Sequence, residues 1–301
     1  MRALIWLRMG RNAASVPGPE ELRRLPVYLR NHPDRPRPLK PSAEECYRRC
    51  LELAPNLLEA HEALFQLHRR ARRNVKAEEA ARKLLEHFPD HLPTLEGLSD
   101  LLRERDEFPE AMALLQRAWK ANPLNRDLRA KVATTHLLMA RGLTLADRFD
   151  EARSEYQAAL NLEAPAEAWT VLARWAACEF RAGDNDRAEA LLRQAMERAP
   201  AELPVAYVLL AESVRLKLHR SVKARFEQEF KAGLAAPPMP AAVAALATFT
   251  LALARSGVAY YGQKTHAKKI LAYAEKAKAG DFTEAQLEET TSALADLRAN
   301  R

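Results

Sequence analysis

Pro55, Pro89 and Pro123 stand 34 residues apart, and after a longer interval Pro165 and Pro200 stand 35 apart. A fixed period of roughly 20 to 50 residues constrains a fold more than any motif, because what repeats is a small unit that buries its apolar face only by stacking on its neighbours. Each of these prolines closes a helical pattern. Proline has no amide hydrogen and its ring clashes with the preceding turn, so a helix ends there.

Counting back from the prolines, a small residue, a larger side chain and another small or apolar residue recur at offsets 0, 4 and 7, with the proline at 12. The sets are Ala43-Tyr47-Cys50-Pro55, Ala77-Ala81-Leu84-Pro89, Ala111-Leu115-Ala118-Pro123 and Ala188-Leu192-Ala195-Pro200. Ala152-Tyr156-Ala159 keeps the offsets with Pro165 one place late. Offsets of 4 and 7 lie on one helical face. Alanine lets two helices approach closely and the bulkier residue fills the gap beside it. A partner helix precedes each set. Leu95-x-x-Leu98-Ser99-x-x-Leu102 precedes Ala111, and His61-x-x-Leu64-Phe65-x-x-His68 precedes Ala77 at the same interval, with looser versions at Arg129 to His136 and Tyr207 to Val214.

On these residues the chain resembles the tetratricopeptide repeat, most strongly over 43 to 200. The resemblance implies an all-α fold, a right-handed superhelical array of antiparallel helix pairs, or α-solenoid. Phe65 departs from the family pattern, which has Gly there and so allows close packing of the first helix. About seven extra residues, Arg141 to Phe149, are expected to form a protruding loop, and Trp169 sits three residues too far from Ala188, as one extra helical turn would place it.

Beyond Pro200 the pattern decays, although Ala267-Leu271-Ala274 keeps the second-helix offsets, and residues 203 to 280 read as diverged helix pairs. Thr283 and Gln286 form a candidate capping box and Phe282 with Leu287 a hydrophobic staple, which predicts a C-terminal helix capping the array. The domains are therefore 1–42, a basic Pro-rich arm or an incomplete repeat; 43–202, the repeat array; and 203–301, diverged helices with the cap. The seven prolines between Pro17 and Pro41 exclude a continuous domain at the front, and the first good repeat, at Ala43, shows only its second helix. The front is either an irregular arm or the remnant of a longer array.

Composition narrows the function. Nine glycines and 7% aromatic residues fit helices rather than strands. Cys46, Cys50 and Cys178 are an odd number of thiols, which points to core cysteines in a reducing, cytoplasmic setting. Ala241 to Ala254 is the most apolar stretch, too short for the ~18 residues of a membrane span, and reads as a buried helix. The run from Met1 to Leu7 is broken by Arg8 before it reaches the length of an export signal. Net charge is +7, distributed as +6 over 1–42, −5 over 43–214, +9 over 215–278 and −3 over 279–301.

No site for chemistry emerges, and no cofactor is expected. His61-Glu62 opens like a zinc-protease helix, but Phe65 stands where the second histidine belongs. Pro89 separates His87 from His91, and Asp184-Asn185-Asp186 lacks the glycine and the final acid of a calcium loop. Gly183-Asp184 reads instead as a turn inside a repeat. The chain is read as a non-enzyme that binds a protein or peptide segment. By the family resemblance, the groove residues are Glu62, Gln66, Arg69, Arg70, Glu96, Asp100, Arg103, Lys131 and Thr134. Some family members clamp a C-terminal carboxylate with Lys and Asn at these places. Glu62, Gln66, Glu96 and Asp100 speak against that mode and for a mixed-charge partner. Two alternatives stand beside this reading. One is nucleic-acid binding through Arg215, Lys217, Arg220, Lys223, Arg225, Lys264, Lys268 and Lys269, with Tyr260 and Tyr261 to stack on bases. The other is service as the interaction segment of a larger enzyme, such as a repeat-bearing glycosyltransferase.

Overall fold

The computed structural model describes residues 2–14, 42–162, 168–255, 263–274 and 276. Among them every regular element is a helix: α1 Arg2–Ala14, α2 Ala43–Leu53, α3 Leu58–Arg70, α4 Asn74–His87, α5 Leu92–Glu104, α6 Phe108–Ala121, α7 Arg126–Leu145, α8 Phe149–Leu162, α9 Ala168–Ala182, α10 Asn185–Arg198, α11 Glu202–Arg215, α12 Arg220–Ala235, α13 Pro240–Arg255 and α14 Gln263–Ala274. The chain forms two compact units, residues 1–128 and 129–301.

In the first unit α1 packs on α2, α3 on α4 and α5 on α6, and α2 and α4 each also touch the first helix of the next pair. In the second, α9 pairs with α10, α11 with α12 and α13 with α14, while α9 touches α11 and α11 touches α13. This is the tetratricopeptide-like helix pair that the spacing implies. The side chains at offsets 0, 4 and 7 are its seam: Ala77, Ala81 and Leu84, Ala111, Leu115 and Ala118, Ala152, Tyr156 and Ala159, and Ala188, Leu192 and Ala195 are all buried. Ala54, Phe88, Asn122 and Ala199 are C-caps, each one residue ahead of its proline. The proline ring disfavours the helical region for the residue before it, so the helix stops there.

The turns inside the five pairs from α3 to α12 are also periodic, in a way the sequence hides. Arg72, Asp106, Asp147, Gly183 and Lys217 all have positive φ, between 53° and 82°. In each case the next residue's amide donates back into the helix, as Arg73 N does to His68 O and Leu218 N to Ser213 O. Such left-handed caps close the open carbonyls of a helix end, and glycine adopts them without strain. Only one of these five turns uses it.

Three local features depart from or extend the sequence reading. The extra residues after Met139 do not form a protruding loop. They prolong α7 to 20 residues, against 13 for α3 and α5, and only 146–148 form the turn. Phe65 is buried without disturbing its helix because Gly97 of α5 leaves room for its ring. A Cβ at Gly97 would stand 2.8 Å from Phe65 Cζ. Ahead of Ala43, α1 occupies the place of a first helix against α2. Leu7 is buried, Gly10 faces the Tyr47 ring, and Cys50 Sγ donates to Ala3 O at 3.1 Å. Residues 15–41 and the expected cap at Thr283 lie outside the described residues.

Ala242, Val243, Leu246 and Phe249 of α13 are buried, and no helix among the described residues is long and apolar enough to cross a membrane.

Candidate binding face

The second helix of each pair spends its small residues on the seam, so the free side of the first helix is where varied side chains meet solvent. In the first unit, α1, α3 and α5 border an open groove of about 290 Å³ lined by Arg11, Glu59, Glu62, Gln66, His91 and Thr94. Two of the expected residues, Glu62 and Gln66, are in its wall. Glu62 is 40% exposed, with a carboxylate oxygen 2.9 Å from His91 Nε2, and His91 Nδ1 lies 2.9 Å from Thr94 Oγ1. One residue at the N-cap of α5 thus ties α3 to α5.

The next turns carry Arg69, whose guanidinium lies 5.5 Å over the Phe65 ring, and the pair Arg103 to Asp100 at 3.3 Å. Arg103 is deeper than its sequence position suggests. Its side chain is 15% exposed, its Nε has no hydrogen-bond partner among the described residues, and burial lowers its pKa against the opposing pull of Asp100. Arg70 is exposed and Glu96 half-buried on the same helices. In the second unit, Lys131 and Thr134 lie half-buried on α7, and Thr134 Oγ1 donates to Ala130 O of its own helix.

A larger cleft in the first unit, about 440 Å³, opens among α2, α3 and α4. Its charges are mostly committed: Arg48 and Lys76 both pair with Glu44, at 2.7 and 3.2 Å, and His61 Nε2 bonds Pro55 O at 2.7 Å. His61 and His68 are buried repeat positions whose pKa burial depresses. No group of three His, Cys, Asp or Glu among the described residues is placed to hold a metal.

In the second unit the first helices α7, α9 and α11 bring together a cluster that sequence reasoning missed. Glu212, 1% exposed, receives Arg141 through Nη2 at 2.9 Å and Nε at 3.2 Å, and Arg215 through Nη1 at 2.9 Å. Arg174 Nε stands 3.7 Å away, too far for a hydrogen bond, and its guanidinium lies 5.5 Å over Phe249. Burial would raise the Glu212 pKa, but Arg141, Arg215 and Arg174 outweigh it and hold the value at about 2. Burial pushes Arg174 down to about 10. The signal was available only as chemistry out of pattern: charged residues, Arg141, Arg174, Glu212 and Arg215, inside helices that are otherwise largely apolar along the same stretch.

Of the basic residues assigned to a nucleic-acid surface, Arg215 belongs to this cluster and Arg225 pairs with Glu189 at 2.6 Å and Glu229 at 2.9 Å. Lys217 and Arg220 are exposed. Tyr260, Tyr261 and the Lys264 side chain lie outside the described residues.

No family model matches the chain, and no curated protein matches it. Among solved structures it is similar to a tetratricopeptide repeat protein from Parabacteroides merdae, at 14% identity over 84% of this chain and 91% of that one, with a TM-score of 0.42. MamA is 18% identical over 65% of this chain and 91% of its own, TM-score 0.40. PilW, a type IV pilus biogenesis factor, is 17% identical over 76% and 92%, TM-score 0.38.

Proposed function

We propose that this array of tetratricopeptide-like helix pairs is a non-enzymatic scaffold that binds a peptide or helical segment of a protein partner along the free face of its first helices. The observation that carries the reading is the groove among α1, α3 and α5, where Glu62 and Gln66 stand half-exposed on a rigid helix beside His91. Side chains held on helices keep their geometry, and an open polar groove matches an extended partner better than a small enclosed ligand. The mixed signs of Glu62, Arg69, Glu96 and Asp100 favour a partner of mixed charge.

Capture of partners from native lysate, with and without nuclease, tests this. The variant Glu62→Arg with Gln66→Arg changes half-exposed side chains, so its fold is retained. Loss of a specific protein from the variant supports the groove. Capture of nucleic acid alone, equal for both proteins and lost in moderate salt, moves the site to the basic later segment.

A reducing compartment such as the cytoplasm belongs to the same reading, supported by three thiols that are buried and form no disulfide. Titration of protein prepared without reductant is expected to find all three free, and a disulfide would contradict it.

A further inference from the structure

We propose that His61 and His68 make the seat of α3 a latch that opens in mild acid, so that the groove α3 borders lets its partner go. The release of a partner rests on the scaffold reading, whereas the opening of the latch is a property of the first unit by itself.

The two sides of α3 differ in chemistry. Glu62 and Gln66 line the groove, while His61 and His68, 6 and 2% exposed, face the cleft among α2, α3 and α4. Neither ring has an anion reserved for a second proton. His61 Nε2 lies 2.7 Å from Pro55 O, which can only accept, so Nε2 holds the ring proton and another must go to Nδ1. The charged groups that act on His61 are Lys83 and His87 of α4, the His87 ring centred 5.1 Å away. His68 Nδ1 is buried without a hydrogen-bond partner. The carboxylate that acts on His68 is Glu44 of α2, which already takes Arg48 at 2.7 Å and Arg73 and Lys76 at 3.2 Å each. On the rim of the cleft, Glu52 pairs with Arg49 at 2.5 Å and Glu79 is exposed. His136 of the second unit is the contrast, with Nδ1 2.6 Å from a Glu155 carboxylate that would take the added charge.

Burial therefore opposes the charged form of both rings and holds both below the ordinary 6.5, against a contrary pull from Pro55 O on His61 and from Glu44 on His68. Once α3 leaves its seat, the rings return to water and to 6.5, so the open state binds the protons that the closed state refuses. The contribution of the two histidines to closure is whole above pH 6.5 and falls as the pH drops from 6.5 towards their values in the folded protein. Both rings sit on one helix, so their effects on its opening multiply. Glu62 and Gln66 ride on that helix and lose their places in the groove when it moves.

The test uses the full chain. Amide exchange at about pH 7.5 and about pH 5.5, corrected for intrinsic rates, reads the opening of α3 and α4. Opening should rise at least about 10-fold in acid, and by less than about 3-fold in the double variant His61→Gln with His68→Leu, which keeps His87 and His91. A peptide selected by display on the parent at the higher pH gives the second readout. It should bind the parent at least about 10-fold more weakly in acid and keep its affinity for the double variant. Opening that ignores pH, or that is as acid-sensitive in the double variant as in the parent, overturns the latch and leaves the scaffold standing. Opening in acid without loss of the peptide overturns its control of the groove. If no peptide is enriched, the scaffold reading falls and takes the release of a partner with it, while exchange still decides the latch. Should the double variant fail to fold, proton–nitrogen NMR of the parent's imidazoles decides: His61 and His68 both titrating below 6.5 support the latch, and either titrating at or above it overturns the latch.

Discussion

In the first unit, Glu62 meets His91 and Asp100 meets Arg103 at 40 and 33% exposure of the two carboxylates, where water still reaches them. In the second, Glu212 meets three arginines at 1%. The helix pair is the same, but the charges on its first helices do different work. Exposed charges are screened and movable, which suits a surface that meets a partner, whereas a buried cluster fixes three helices at one point and makes each member depend on the others.

The comparison breaks most visibly on removing one charge from each unit. Glu212→Gln takes from three buried guanidinia the carboxylate they share and should destabilise the second unit by about 3 to 5 kcal/mol. Asp100→Asn in the first should change stability by no more than about 1 kcal/mol. Amide exchange followed by mass spectrometry reads each unit separately, and equal losses would mean that burial is not what separates them.

Acid should act next. Glu212 ionises in the folded protein at about 2, against 4.5 ordinarily, so folding favours its charged form. The contribution, roughly 3 kcal/mol, is whole above pH 4.5 and disappears as the pH falls from 4.5 towards 2. Glu44 and Glu78 of the first unit are also held below 4.5 by neighbouring Lys and Arg, against a contrary push from burial. Their partners are about half-exposed, so their share should shrink in salt while that of Glu212 persists. Acid unfolding in low and high salt, followed by exchange in each unit, checks this.

Two glycines give opposite signs. Gly97→Ala sets a methyl against Phe65 and Arg69 and should destabilise the first unit by about 1 to 3 kcal/mol, relieved by Phe65→Leu. Gly142 in α7 has nothing within 4 Å of its missing Cβ, and Gly142→Ala should stabilise the second unit by about 1 kcal/mol. The smallest effect should ignore the division. Arg72→Gly and Lys217→Gly remove left-handed strain from equivalent turns and should each raise stability by less than about 1 kcal/mol, measured as a small rise in Tm.

What was legible in the residues was the seam. Alanine at offset 0, apolar residues at 4 and 7 that are mostly bulky and then small, and a terminal proline set the packing, and every such side chain from Ala43 to Ala195 is buried. The length of α7 was not legible, because the residues from Arg141 to Phe149, with one glycine and no proline, read equally as loop or as more helix until Arg141 is seen reaching Glu212. The depth of Arg103 was not legible either, since a helical wheel tells which face a residue occupies but not how deeply the neighbouring helix covers it. The Glu212 cluster draws on residues 141, 174, 212 and 215, each ordinary in its own helix and meaningful only once three helices are brought together.

The central claim is that partners meet the first helix of each pair. Amide exchange of the full chain, alone and with a captured or selected partner, tests it most directly. Protection concentrated on α3 and α5 of the first unit, and on α9 and α11 of the second, is the predicted result. Protection confined to α4, α6, α10 and α12 would contradict it and place binding on the opposite helices.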